Sequence, residues 1–161
     1  MKPGDHPDFF RLAPPPGTSR ESTIRLDAEG RFFHDGVRVD HPALEAALHS
    51  WIARHPDDGR YILTNGYDWT YFRVDDAPYV VRSVRIEEDR IDLVLSDATV
   101  EPLDPASLRI GEGDALYVKV KKGGFDAKFS RHAQTELAPA IGEDGEGNVV
   151  LRVGERAHRI A

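Results

Sequence analysis

Four of the five lysines, Lys119, Lys121, Lys122 and Lys128, fall within ten consecutive residues of a chain whose formal net charge is -7. Ammonium groups gathered in this way are chemistry for an anion, phosphate above all. Gly123-Gly124, set between two alternating runs, predicts a two-residue hairpin turn. That register pairs Lys122 with Phe125, Lys121 with Asp126, Val120 with Ala127 and Lys119 with Lys128. Val120 and Ala127 then face the core, and Tyr117, Lys119, Lys121 and Lys128 share the opposite face. Lys121 and Asp126 compensate each other, whereas two lysines directly opposed cost stability. Arg131 follows in the first turn of a helix that Ser130 is predicted to cap, where free amides also attract anions. Tyr117, Lys119, Lys121, Lys128 and Arg131 are thus the first candidate ligand site. A solvated face neutralised by nearby acids is the plain alternative.

Asp75-Asp76 has the composition of an acid-base pair, but successive side chains of extended backbone leave opposite faces. One reading is a turn before Pro78, with a carboxylate bonding to its own backbone. The other turns one aspartate toward a cleft. Tyr67, Tyr71 and Tyr79 cannot all enter one core, and Tyr79, beside the aspartates, is counted with the ligand-binding set. The seven histidines lack the i, i+4 spacing with glutamate of a zinc helix, and no metal is expected. Glu143 to Asn148 is acidic and glycine-rich without the order of a calcium loop. No cysteine is present, which removes disulfides and thiol nucleophiles, and no cofactor is expected. Trp51 and Trp69 read as core residues.

The negative balance argues against general nucleic-acid binding, which needs a basic face. The apolar runs are too short for a membrane span, and Met1 to Asp5 has no apolar segment behind it, so no signal peptide is expected. With 40% hydrophobic and 30% charged residues, the expectation is a cytoplasmic globular protein.

The elements that must position these groups are legible in outline. Residues 1–22, broken by Pro14-Pro15-Pro16-Gly17, read as a flexible tail that Phe9, Phe10 and Leu12 could dock. Strands follow at 24–26, 31–34 and 37–39, with Asp35-Gly36 as a two-residue turn. Asp40 is predicted to cap a helix with Leu44, Ala47, Leu48, Trp51 and Ile52 on one stripe, ended by His55-Pro56. Asn65-Gly66 predicts a tight hairpin between 60–64 and the run from Tyr67. Strands are expected from Tyr79 to Ile86, 90–95 (Ile91, Leu93 and Leu95 inward), 116–120, 125–129, 148–153 and up to Ile160. A short helix is predicted from Ser130 to Pro139.

Turns recur 88 residues apart (Gly36 and Gly124, Gly66 and Gly154) and helix caps 90 apart (Asp40 and Ser130). The order of elements repeats while residue identity over the helices is near zero. The expectation is an α+β fold built by internal duplication of a hairpin–helix–hairpin unit. Its units cover residues 23–78 and 79–161, each an antiparallel sheet with one helix. Asp75 to Pro78 is expected where the halves meet.

Asp27-Ala-Glu-Gly-Arg-Phe-Phe-His-Asp-Gly36, Asp58 to Leu63, Val74 to Tyr79, Ala115 to Lys121, Phe125 to Arg131 and Glu136 to Ala138 together resemble a family of uncharacterised bacterial proteins with a duplicated α+β core. The resemblance runs from about residue 24 to the end. It implies a C-terminal half like a pleckstrin-homology fold, a site for a nucleotide-like ligand at the junction of the halves, and a signalling role. This chain has Gln134 and Thr135 where the family tends to place aromatic residues. The resulting expectation is a non-catalytic protein that binds a small anionic ligand. An enzyme acting on a phosphorylated small molecule, with Asp75 or Asp76 as base, and a protein-interaction adaptor are the alternatives.

Overall fold

Asp35 and Gly36 both adopt left-handed backbone, φ 52° and 78°, as a two-residue hairpin turn requires. His34 therefore faces Val37, and β2 (Phe32–His34) pairs with β3 (Val37–Arg38). β1 (Arg25–Leu26) joins the other side of β2. The structure is a computed structural model describing all of residues 1–161. The chain divides into two units, Met1–Asp76 and Ala77–Ala161, and the division falls inside the Asp75–Pro78 block.

In the first unit, α1 (Pro42–Ser50) starts one residue later than its sequence predicts: His41 is the cap, its Nδ1 accepting the Leu44 amide at 3.3 Å. The helix also ends early. Trp51 closes it, and Ile52 opens β4 (Ile52–Arg54) rather than extending the helical stripe. Pairing of Ile52 with Leu63 of β5 (Tyr61–Thr64) outweighs the helical periodicity that Trp51 and Ile52 share with Leu48. Asn65-Gly66 does not act as a two-residue turn either. Thr64 faces Trp69, so four residues link β5 to β6 (Trp69–Tyr71), and Asn65 Oδ1 accepts the amides of Tyr67 and Asp68. β7 (Arg73–Val74) then runs parallel to β1, giving one sheet β3-β2-β1-β7 beside a second, β4-β5-β6.

Residues 1–22 lie against this unit. Phe9 is buried with Ile62 and Trp69, and Phe10 packs on them, while Leu12 stays exposed. Gly4 donates its amide to the Gly66 carbonyl at 2.7 Å, and Arg11 grips Asp57 with two nitrogens. Arg20 stacks 4.6 Å from the Trp69 ring centroid and bonds Asp68 and the Trp69 carbonyl. His55 is buried among Phe10, Trp69 and Tyr71. Its Nδ1 accepts the Asp57 amide, so the ring proton sits on Nε2 and is donated to the Phe10 carbonyl at 3.0 Å.

The second unit carries a six-stranded sheet in the order β10-β9-β8-β13-β12-β11. Its members are β8 (Tyr79–Ile86), β9 (Ile91–Leu95), β10 (Val100–Pro102), β11 (Arg109–Ile110), β12 (Leu116–Val120) and β13 (Phe125–Phe129). All neighbours are antiparallel except β8 and β13. Ile91, Leu93 and Leu95 are buried, as are Leu116, Val118 and Val120, following the period-two pattern. Ser130 caps α2 (Arg131–Leu137) by accepting the Ala133 amide. Where the β8–β9 register slips between Val81 and Ser83, Glu136 of α2 accepts from the Ser83 hydroxyl and the Val84 amide. β14 (Ile141–Glu143), β15 (Val149–Val153) and β16 (Arg156–Arg159) close the chain as a three-stranded antiparallel sheet. The fold is α+β, with two short α-helices and mainly antiparallel sheets.

Candidate functional site

The lysine hairpin does not have the register that Gly123-Gly124 predicts. Lys119 faces Asp126, Tyr117 faces Lys128 and Val120 faces Phe125. Four residues form the turn, and Lys121, Lys122 and Gly123 are all left-handed, with φ 55°, 59° and 81°. A two-residue slip preserves which side chains share a face, so Val120 and Ala127 are buried as expected, and Val118 and Phe129 with them. The partners change, however. Lys119 Nζ lies 2.8 Å from Asp126 Oδ1, and the opposed Lys119–Lys128 pair does not exist.

Lys121 holds the turn in place. Its amide donates to Glu101, and its Nζ bonds Asp97 Oδ2 at 2.7 Å and the Thr99 hydroxyl at 2.8 Å. Those anchors offset the left-handed backbone, which costs about 1 kcal/mol for a non-glycine residue. Nζ also sits 5.3 Å from the ring centroid of Tyr79. Burial would raise the Asp97 pKa, but the Lys121 and Thr99 hydrogen bonds and the Lys121 charge together hold it below its ordinary value. Tyr79 is buried and its hydroxyl is pushed up to about 12, first by burial and then by the charges of Asp97 and Glu101. Of the residues named from sequence, the structure therefore brings Lys121 to Tyr79, and Tyr117 to Lys128.

Tyr117 also carries the Arg109 guanidinium, 4.4 Å from its ring centroid. Arg131 is exposed at the start of α2. Asp75, in the first unit, is bound by Arg25 at 2.5 Å and Arg73 at 3.2 Å; Asp76 is exposed beside it. Neither reading of the aspartate pair foresaw this arginine clamp. No group of three or more His, Asp or Glu side chains could hold a metal ion.

One concavity of the second unit was not singled out from sequence. It is a cleft of about 1030 Å³ between the β8–β9 turn, the segment after β10 and the β15–β16 turn. Leu103, Pro105 and Val153 supply apolar wall, Glu88, Glu155 and Arg156 supply charge, and His158 supplies an imidazole. One end is drawn tight at Gly154, φ 60°, where an added Cβ would stand 3.2 Å from the Glu88 carbonyl oxygen. Arg90, which also lines it, is engaged by Asp92 and Asp89. Arg156 and His158 are in no ion pair. They pair with Val153 and Leu151 across the sheet and so share a face. The i, i+2 spacing of Arg156 and His158 on the predicted last strand was the signal available in the sequence. The first unit has a smaller cavity of about 180 Å³, lined mainly by Ile24, Leu48, Trp51, Leu63 and Trp69.

These features define a protein of two α+β units, the second bearing a polar cleft. No known family profile matches the sequence, and no curated protein does. Solved structures of similar fold exist. One is a DUF1285 family protein from Silicibacter pomeroyi DSS-3, with a TM-score of 0.70 and 18% identity over 94% of this chain and 91% of that one. Another, a DUF1285 family protein from Shewanella baltica OS155, gives a TM-score of 0.58 and 19% identity over 75% of this chain and 94% of that one. At these identities the likeness is one of fold. It agrees with the resemblance to uncharacterised bacterial proteins seen in the sequence.

Proposed function

We propose that this protein binds a small anionic molecule, phosphorylated or nucleotide-like, in the cleft of its second unit, and that it does so without catalysis as part of a signalling process. The observation that carries the reading is the pair Arg156 and His158, lining one cleft on one sheet face with no carboxylate bound to either. An arginine left free at a concave surface suits a phosphate, which its planar fork can bind with two hydrogen bonds. Lys119 and Lys121, the cations first considered, are occupied by Asp126 and Asp97. An enzyme with Asp75 as base is less well supported, because Arg25 and Arg73 hold that carboxylate. The signalling role rests on the family resemblance alone.

The test is a thermal-shift screen against nucleotides and sugar phosphates at low salt, with wild type, Arg156→Ala and Lys128→Ala. A ligand that binds the folded state raises its melting temperature. The expected result is a stabilising phosphate whose effect is lost in Arg156→Ala and kept in Lys128→Ala. Loss in Lys128→Ala alone would return the site to the hairpin, and no response in wild type would remove the reading.

We also infer an internal duplication. A hairpin, a short helix and a three-stranded antiparallel sheet follow one another in both units, as β2-β3-α1-β4-β5-β6 and β12-β13-α2-β14-β15-β16. The hairpin turns differ in length, two residues at Asp35-Gly36 and four at Lys121–Gly124, so the repeat is one of plan. The pleckstrin-homology likeness of the second half rests on the resemblance.

A further inference from the structure

The cleft of the second unit holds charges of both signs that do not neutralise one another. Glu88 and Glu155 line it together with Arg156 and His158, yet no pair among the four approaches to within 4 Å as an ion pair. Their neighbours behave differently: Arg90 on the same wall is bound by Asp92 at 3.1 Å and Asp89 at 3.5 Å. Two separate backbone turns supply the carboxylates, Glu88 from the β8–β9 turn and Glu155 from the β15–β16 turn. Gly154 brings those turns into contact, since a side chain there would press on the Glu88 carbonyl. Arg156 and His158 stand on β16, one and three residues past Glu155.

A ligand carrying only negative charge would bring its charge close to two carboxylates, and the repulsion would offset part of what Arg156 contributes. A ligand with a phosphate at one end and an ammonium group at the other meets an opposite charge at both ends. We propose that the ligand of this cleft is such a zwitterion, a phosphate monoester bearing an amine, with the phosphate on Arg156 and His158 and the ammonium group between Glu88 and Glu155. This rests on the reading of the cleft as an anion site and names the class of molecule that site takes. The apolar wall of Leu103, Pro105 and Val153 would cover the short carbon chain joining the two ends.

Calorimetric titration of the whole protein with ethyl phosphate and with 2-aminoethyl phosphate separates the two levels of the claim, because the probes differ by one amine. Wild type should bind 2-aminoethyl phosphate about tenfold more tightly, the scale of one added charge-assisted hydrogen bond. The double variant Glu88→Gln with Glu155→Gln should bind both probes equally, because the amides keep the shape and lose the charge. Arg156→Ala should bind neither. Equal binding of the two probes to wild type overturns the zwitterion and leaves the anion site standing. Binding of neither probe to wild type overturns both. A tenfold preference that persists in the Glu88→Gln and Glu155→Gln variant overturns the assignment of the amine to these carboxylates.

Discussion

The two three-stranded sheets run the same course through their strands and differ in what lies against them. β4–β6 carries Trp69 and Tyr71, with His55 beside them, and residues 1–22 cover this surface with Phe9 and Phe10. β14–β16 carries Arg152, Arg156, His158 and Arg159, and it borders an open cleft. In the first case aromatic area is buried and nearly every nearby charge is paired: Arg11 with Asp57, Arg20 with Asp68, Arg60 with Glu21. In the second, Arg156 and His158 remain unpaired. A three-stranded antiparallel sheet is covered by aromatic side chains in one unit and borders an open cleft in the other. Groups left unsatisfied at a concave surface are where function is to be sought.

The largest expected effect tests the closed side. Phe9→Ala should destabilise the first unit by about 3 kcal/mol, as loss of a buried aromatic side chain does. Amide exchange should quicken in β4–β6 and not in β8 and β9, and an unchanged exchange pattern would show that residues 1–22 contribute nothing to this core. In the second unit the corresponding tie is Asp97–Lys121, at the β12–β13 turn. Asp97→Ala leaves the mostly buried Lys121 ammonium without its carboxylate and should cost about 2 kcal/mol in urea unfolding.

The same tie gives a pH signature. The folded Asp97 pKa lies below its ordinary value of 3.8. Its contribution is therefore present above pH 3.8 and is lost as pH falls through the lower folded value. Between those limits Asp97→Asn should lose stability less steeply than wild type on acidification, and identical profiles would count against the pair. Next in size is Gly154→Ala, where left-handed backbone and the close Glu88 carbonyl should together cost about 1 kcal/mol. Smallest is Lys122→Gly, which relieves a left-handed lysine in an exposed turn. It should stabilise by about 0.5 kcal/mol or leave the melting temperature unchanged; a clear loss would mean that the Lys122 side chain has a structural role.

Much of the fold was legible because alternation of side chains is robust. Ile91, Leu93 and Leu95, and Val120 with Ala127, read as inward and are buried. The Asp35-Gly36 turn was legible because both of its residues tolerate left-handed backbone. The lysine hairpin was not, because its turn depends on Asp97, Thr99 and Glu101, about twenty residues away in sequence. Local chemistry favoured Gly123-Gly124, and tertiary bonds to Lys121 chose otherwise. The end of α1 escaped for a similar reason: Ile52 fits a helical stripe and a strand equally well, and only Leu63 decides between them. Phe9 marked the docking of the N-terminal segment without revealing its partners. The candidate cleft was hidden because its walls come from three separated stretches of chain, each of which reads as an ordinary charged turn or edge strand.

The central claim is that Arg156 and His158 of β16, and not the paired lysines of the β12–β13 hairpin, receive the anion. Titration of the isotopically labelled protein with ethyl phosphate, followed by amide chemical shifts, tests it most directly. The account predicts saturable shifts at Gly154, Glu155, Arg156 and His158 and at Glu88 across the cleft, with Lys119, Lys121 and Lys128 unmoved. Saturable shifts at the hairpin lysines with β16 silent would contradict it.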